Sequence, residues 1–208
     1  MQAKLPSDPP PPQLPRDFAW TGQYEVPDLG MEVPFTWHGN AGNMQMIAGG
    51  ESYPIHFTNL IYDGLLYTLT YKWPDVERRP CSPIGPFTVH DLNVALQSSR
   101  FVGVETLERE EPLQVHHFRV GVVWEPTPDV IPPIPGIPNL RIPLLSGDFY
   151  VDPEDSSKFW QVLHFGVQNL YDPEQDEWIR IDTTDENAGA VEIPDECATA
   201  ASSPDLSS

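Results

Sequence analysis

Met31-Glu32-Val33-Pro34-Phe35-Thr36-Trp37-His38-Gly39-Asn40-Ala41-Gly42-Asn43-Met44-Gln45-Met46-Ile47-Ala48 is the stretch that decides the fold class. Met31, Val33, Phe35 and Trp37 alternate with Glu32, Pro34, Thr36 and His38, the two-residue period of a strand with one buried face. His38 to Gly42 carries turn chemistry, and Asn43 to Ala48 runs back as a partner strand with Met44 and Met46 on one face. Gly49 and Gly50 then break the pattern.

The same pattern extends outward. Tyr53 to Tyr62 reads as a third strand, and Asp63-Gly64 is a hairpin turn signal. Leu65, Tyr67, Leu69, Tyr71 and Trp73 share one face of a fourth strand. Further strands are predicted at Arg100 to Leu107, Val115 to Trp124, Gly147 to Val151, Phe159 to Val167 and Trp178 to Asp182, each bounded by Pro, Gly, Asp or Asn. One helix fits, capped by Thr88, with Leu92, Val94, Ala95 and Leu96 as its apolar face. At roughly 8 to 10 residues it is too short to stand alone and needs a sheet to pack on. The expected fold is mainly β: a strongly curved antiparallel sheet, half-barrel or barrel, with one short helix against the concave side.

The chain of 208 residues fits one domain with tails. Residues 1–16, with Pro6, Pro9 to Pro12 and Pro15, read as an extended polyproline-type arm rather than part of a core. Residues 17–197 form the domain, and residues 198–208 read as a disordered tail. Between two predicted strands, Glu125 to Pro143 holds seven prolines interleaved with Val130, Ile131, Ile134 and Ile137. It reads as a stiff lid, a contact surface or a connector packed on its own domain.

Charge excludes some partners. The formal net charge is -20, from 31 acidic and 11 basic residues. Nucleic acid and anionic membrane surfaces both require clustered Lys and Arg, so neither is an expected partner. No apolar run reaches the roughly 18 residues of a membrane span. Met1-Gln2-Ala3-Lys4 leads into proline with no signal-like apolar region, so the chain is expected to be either cytosolic or a mature form.

Catalytic motifs are sparse. There is no Gly-x-Ser-x-Gly, no phosphate-binding glycine loop before a helix and no His-Glu-x-x-His. Cys81 and Cys197, the only cysteines, are more simply a disulfide than a nucleophile. On one strand His116 and His117 point to opposite faces, and His116 shares the apolar one with Phe118, Val120, Val122 and Trp124. His164 shares a face with Trp160 and Val162. His116 and His164 are therefore the candidate general bases if the protein is an enzyme, with Glu105, Asp148 and Arg119 available as partners. The more ordinary role for either is a satisfied core or rim histidine. Asp152, Glu154 and Asp155, or Asp172, Glu174 and Asp176, are candidate calcium ligands on acidic turns, although the twelve-residue EF-hand pattern is not met. No other cofactor is expected.

The aromatic content points elsewhere. A curved sheet with a concave aromatic face can surround an apolar ligand, or simply fill its own interior. The candidate lining residues are Phe35, Trp37, Met44, Met46, Tyr67, Tyr71, Trp73, Phe118 and Trp160.

The element order resembles the ependymin-related proteins and, more broadly, lipoprotein-carrier half-barrels of the LolA/LolB type. The resemblance rests on Ile61-Tyr62-Asp63, on Tyr67 to Trp73 running towards Cys81, and on Ser99-Arg100-Phe101-Val102-Gly103 after a short helix-like segment. It ends on Val191-Glu192-Ile193-Pro194-Asp195-Glu196-Cys197, similar to the Pro-x-x-Cys close of ependymins. It implies an antiparallel half-barrel holding a hydrophobic small molecule, often as a secreted homodimer sensitive to calcium, with Cys81 joined to Cys197. No catalytic residue carries over. The sequence reading is thus a secreted or extracytoplasmic binding protein for a lipid-like ligand. A small isomerase, cyclase or hydrolase on the same scaffold and an acidic interaction protein are the alternatives.

Overall fold

The computed structural model describes residues 8–72, 78–124, 142–166, 178–185 and 189–201, with side chains omitted at 28, 79, 84, 121–124, 142–146, 164–166 and 199–201. Within them eleven strands form one antiparallel sheet. The strands are β1 (Phe18–Val26), β2 (Met31–Asn40), β3 (Asn43–Gly49), β4 (His56–Tyr62), β5 (Leu65–Lys72), β6 (Arg79–Pro86), β7 (Arg100–Leu107), β8 (Leu113–Trp124), β9 (Ile142–Val151), β10 (Phe159–Gly166) and β11 (Trp178–Asp185). Helix α1 (Val89–Gln97) lies between β6 and β7, and α2 (Asp195–Ala201) follows β11. The spatial order is β6-β5-β4-β3-β2-β1-β11-β10-β9-β8-β7, so the sheet is open. It consists of two meanders, β1 to β6 and β7 to β11, joined where β11 pairs with β1.

Curvature follows from the connection. The two edge strands, β6 and β7, are joined by only thirteen residues, nine of them in α1. At about 1.5 Å per helical residue and about 3.4 Å per extended one, that link reaches roughly 27 Å. Eleven flat strands about 4.8 Å apart would span roughly 48 Å. The sheet therefore has to curl until a single short helix can cross from one edge to the other. Thr88 and Asp91 build a capping box at the start of α1, with Thr88 Oγ1 accepting from the Asp91 amide at 3.1 Å.

Two hairpins form as the turn residues predict. Ala41 and Gly42 both take positive φ (51° and 89°) between β2 and β3, as do Asp63 and Gly64 (48° and 77°) between β4 and β5. The first strand and the proline-containing β6 carry no clear sequence signal and were not expected. β6 has prolines at 80, 83 and 86, which suits an edge that needs few donors.

The concave face carries the main core. Phe18, Trp20, Phe35, Trp37, Met44, Met46, Phe118, Phe149, Phe159 and Ile181 belong to one buried cluster, closed by Leu92, Ala95 and Leu96 of α1. Trp37 meets Trp20 edge-on at 5.1 Å between ring centroids, and Trp20 lies 5.1 Å from Phe159. Val94 does not join the helix's apolar face but is 51% exposed. The Pro-rich segment also departs from expectation. Leu14 is buried in the main core, and its N–H donates to Asn93 Oδ1 of α1 at 2.8 Å. Packing thus begins before residue 17.

A second cluster lies on the opposite, convex face. Leu60, Tyr67 and Leu69 point outward from β4 and β5 and are covered by Val191, Ile193 and Cys197. Cys197 is bonded to Cys81 of β6, with Cα atoms 5.0 Å apart. α2 runs to Ala201, so residues 198–201 are helical rather than a disordered tail. The Glu125 to Pro143 loop, up to residue 141, lies outside the described residues, as does Trp73.

Two outcomes test this arrangement. A Cβ on Gly22 would stand 1.8 Å from the Arg180 carbonyl oxygen, at the point where the β1–β11 register shifts. Gly22→Ala should therefore lower stability by about 2–3 kcal/mol in urea denaturation, because the obstacle is backbone. Replacing both cysteines with serine should cost about 2–4 kcal/mol and make residues 189–201 the first site of limited proteolysis.

Candidate functional site

Nine residues were expected to line a ligand site, and the structure divides them. Phe35, Trp37, Met44, Met46 and Phe118 do meet on the concave face, all at most 3% exposed. Tyr67 and Tyr71 do share a face with each other, but it is the convex one, where they pack in or against the second cluster. The alternation of β5 identified the shared face correctly; only the pairing with β4 tells which side it is, since Tyr67 stands opposite Leu60. Trp160 is half-buried at a bulge of β10, with Lys158 Nζ 4.2 Å and the Arg109 guanidinium 5.4 Å from its ring centroid. It belongs to neither hydrophobic cluster.

The concave face thus consists of an aromatic floor and a short cover. The floor is Trp20, Phe35, Trp37, Phe149 and Phe159, from the four strands β1, β2, β9 and β10. The cover is short: Leu92, Ala95 and Leu96 from a nine-residue helix, plus Leu14 from the N-terminal segment. The Leu14–Asn93 hydrogen bond couples the two parts. Gln13 N–H donates to the Ser156 carbonyl at 3.1 Å, anchoring the segment to the β9–β10 turn. With the cover seated, Phe35, Trp37, Phe149 and Phe159 are at most 1% exposed, so the interior is occupied by the protein's own side chains.

Of the two candidate bases, His116 has no described carboxylate partner. His116 is half-buried on the concave rim, with its ring 5.5 Å from Phe101 and 6.5 Å from Phe118. The side chain of His164 lies outside those described. It is His117, on the convex face, that is buried and doubly bonded: Nδ1 to Glu105 Oε1 at 2.5 Å and Nε2 to Asp148 Oδ1 at 2.7 Å. Asp148 also accepts from Arg119 Nε at 2.7 Å, and the His117 ring stacks on Tyr150 at 4.6 Å. Glu105, Asp148 and Arg119 therefore do assemble around a histidine, but on the opposite face from the one expected.

Both His117 nitrogens lie within hydrogen-bond distance of carboxylate oxygens, so neither is open to a substrate. The cluster ties together β7, β8 and β9. Burial opposes charge on Asp148, but the hydrogen bonds from Arg119 and His117 outweigh it and hold the carboxyl below its ordinary value. Tyr150 is pushed up to about 12, first by burial and then by the nearby Glu105 and Asp148. The alternation of His116 and His117 was legible; the partners of His117 were not. Gly103 stands opposite His117, and Glu105 reaches it diagonally, a relation visible only once the register is known.

The acidic turn serves itself. Asp152 Oδ1 accepts from the Glu154 amide at 2.9 Å, and Asp155 Oδ1 accepts from the Ser157 amide at 2.9 Å and from its hydroxyl at 2.6 Å. Asp152 also lies 3.8 Å from Lys158 Nζ. Among the described residues no group of three His, Cys, Asp or Glu is arranged to hold a metal ion, so the calcium set expected at Asp152, Glu154 and Asp155 does not assemble. The second set, Asp172, Glu174 and Asp176, lies outside the described residues. No described helix is long and apolar enough to cross a membrane.

No family model matches the chain, and no curated protein matches it in sequence.

The Asp148 network has a pH signature. A depressed carboxyl contributes stability above its unfolded pKa of about 3.9, and that contribution disappears as pH falls through the folded value. Urea midpoints measured from pH 6 down to pH 2.5 should show a steep acid loss in the wild type and a shallower one in Asp148→Asn, which starts less stable at pH 6. His117→Gln should cost about 2–4 kcal/mol at pH 6, because it breaks a buried network that one ring bridges between Glu105 and Asp148.

Proposed function

We propose that this protein binds an apolar small molecule on the concave aromatic face, with α1 and Leu14 as the cover that the ligand displaces. The observation that carries this reading is the placement of α1. It joins the two edge strands and rests on the aromatic floor through three side chains of modest size. A nine-residue helix is marginal on its own. Its seating depends on the apolar contact that a ligand would supply equally well. The floor residues come from strands held by the sheet, so they stay in place when the cover lifts.

Charge narrows the ligand class. At a net charge of -20, a neutral or cationic apolar molecule approaches without the repulsion that an anionic one meets. The resemblance to ependymin-related and LolA/LolB-type half-barrels agrees with this reading, and the open curved sheet is compatible with it. The Cys81–Cys197 bridge favours an extracytoplasmic setting, because disulfides persist where thiols are not kept reduced. No histidine among the described side chains has the free nitrogen and orienting carboxylate that acid–base catalysis needs, so binding is preferred to an enzymatic role.

Native mass spectrometry of protein purified from its natural source tests the proposal. The expected result is a bound mass that corresponds to an apolar molecule and is released by organic solvent. A bare polypeptide mass, together with no uptake of fatty alcohols, fatty acids or apolar dyes, would overturn it.

A further inference from the structure

The two edges of the sheet are finished differently. β6 carries prolines at 80, 83 and 86, each lacking a backbone donor, and α2 packs against it beside the Cys81–Cys197 bridge. β7 contains no proline, and among the described residues it pairs only with β8. Two of its apolar side chains stand in solvent, Val102 at 43% and Val104 at 57% exposed. Val102 sits at a bulge, whereas Gly103 to Leu107 runs in unbroken register with His117 to Leu113. The one charge in that straight stretch, Glu105, is drawn onto His117. One of its carboxylate oxygens is thereby engaged, while the side chain remains exposed, so it serves only in part as the gatekeeping charge of an open edge.

We infer that the β7 edge, from Gly103 to Leu107, takes up an extended segment of a partner protein as an added strand, and that this segment alternates apolar with basic residues. The backbone of the edge supplies the pairing groups, and Val104 supplies a small apolar contact. The charge of the partner follows from the neighbouring hairpin. Glu108, Glu110 and Glu111 are exposed at the end of β7, while Arg109 turns inward and donates to the carbonyls of Trp160 (2.7 Å) and Ile181 (3.2 Å). The edge therefore runs into a patch of three exposed acids, and Arg109, the cation within that turn, is engaged by backbone carbonyls. A second copy of the chain is the poorer occupant, because it would bring a like charge of -20 to the contact. This inference is separate from the apolar-ligand reading: its pairing groups lie on the open edge of β7, although Val104 shares the face of His116.

The test uses the full-length protein and a capped seven-residue peptide of alternating lysine and valine, at near-physiological salt. Its counterpart has the same sequence with alternate backbone nitrogens methylated, which keeps the charge and removes strand pairing. Binding is read by amide NMR shifts and hydrogen exchange. The expected result is slowed exchange within Gly103 to Leu107, at least about tenfold weaker binding of the methylated peptide, and a similar loss in Val104→Pro. Val104→Lys, which keeps the backbone donor and adds a like charge to the peptide, should also weaken binding, and the thermal melts of both variants establish that they fold. Equal binding of the two peptides, shifts confined to Glu108 to Glu111, or unchanged affinity in folded Val104→Lys would each overturn the inference. So would concentration-dependent self-association in which β7 amides become protected without peptide.

Discussion

The pairing of β1 with β11 is the constraint on which the rest of this structure depends. Each meander pairs only strands that are adjacent in sequence. Only the β1–β11 seam, which joins strands more than 150 residues apart, makes them one sheet. Gly22 allows it, because the Arg180 carbonyl approaches where a side chain would otherwise stand. Once the seam exists, the sequence-adjacent β6 and β7 become opposite edges, and the short link between them forces the sheet to curl. The aromatic residues of β1, β2, β9 and β10 then converge, and α1 has no route except across them.

Curling gives the two faces different tasks. The concave side concentrates apolar groups and needs little polar chemistry. The convex side is divided: β4 and β5 carry an apolar patch that the C-terminal segment covers, whereas β7 to β9 carry the Glu105–His117–Asp148–Arg119 network. A cover held only by Val191, Ile193 and a seven-residue helix would fray, and the disulfide supplies the missing restraint. The convex network ties together β7, β8 and β9, with both His117 nitrogens engaged by carboxylates.

Much of this was legible in the residues. The alternation in Met31 to Trp37, the Asp63-Gly64 turn, the Thr88 cap and the pairing of two lone cysteines each follow from local rules or from the resemblance. What was not legible depends on register and partner. Tyr67 and Tyr71 alternate as clearly as Phe35 and Trp37, yet nothing local distinguishes a convex from a concave face in a sheet with both faces buried at that point. β6 is masked by its prolines, which argue against a strand unless the strand is known to be an edge. Leu14 sits among prolines that suggest an exposed arm, and its burial depends on a gap beside α1 that only the assembled fold creates.

The most direct test of the account is the position of a heavy atom in a crystal of the protein saturated with a brominated fatty alcohol. The account predicts anomalous bromine density against Trp20, Trp37 and Phe159, with α1 and Leu14 displaced from the concave face. Bromine found only on the convex patch by Leu60 and Tyr67, or an unliganded interior with α1 in place at saturating ligand, would contradict it.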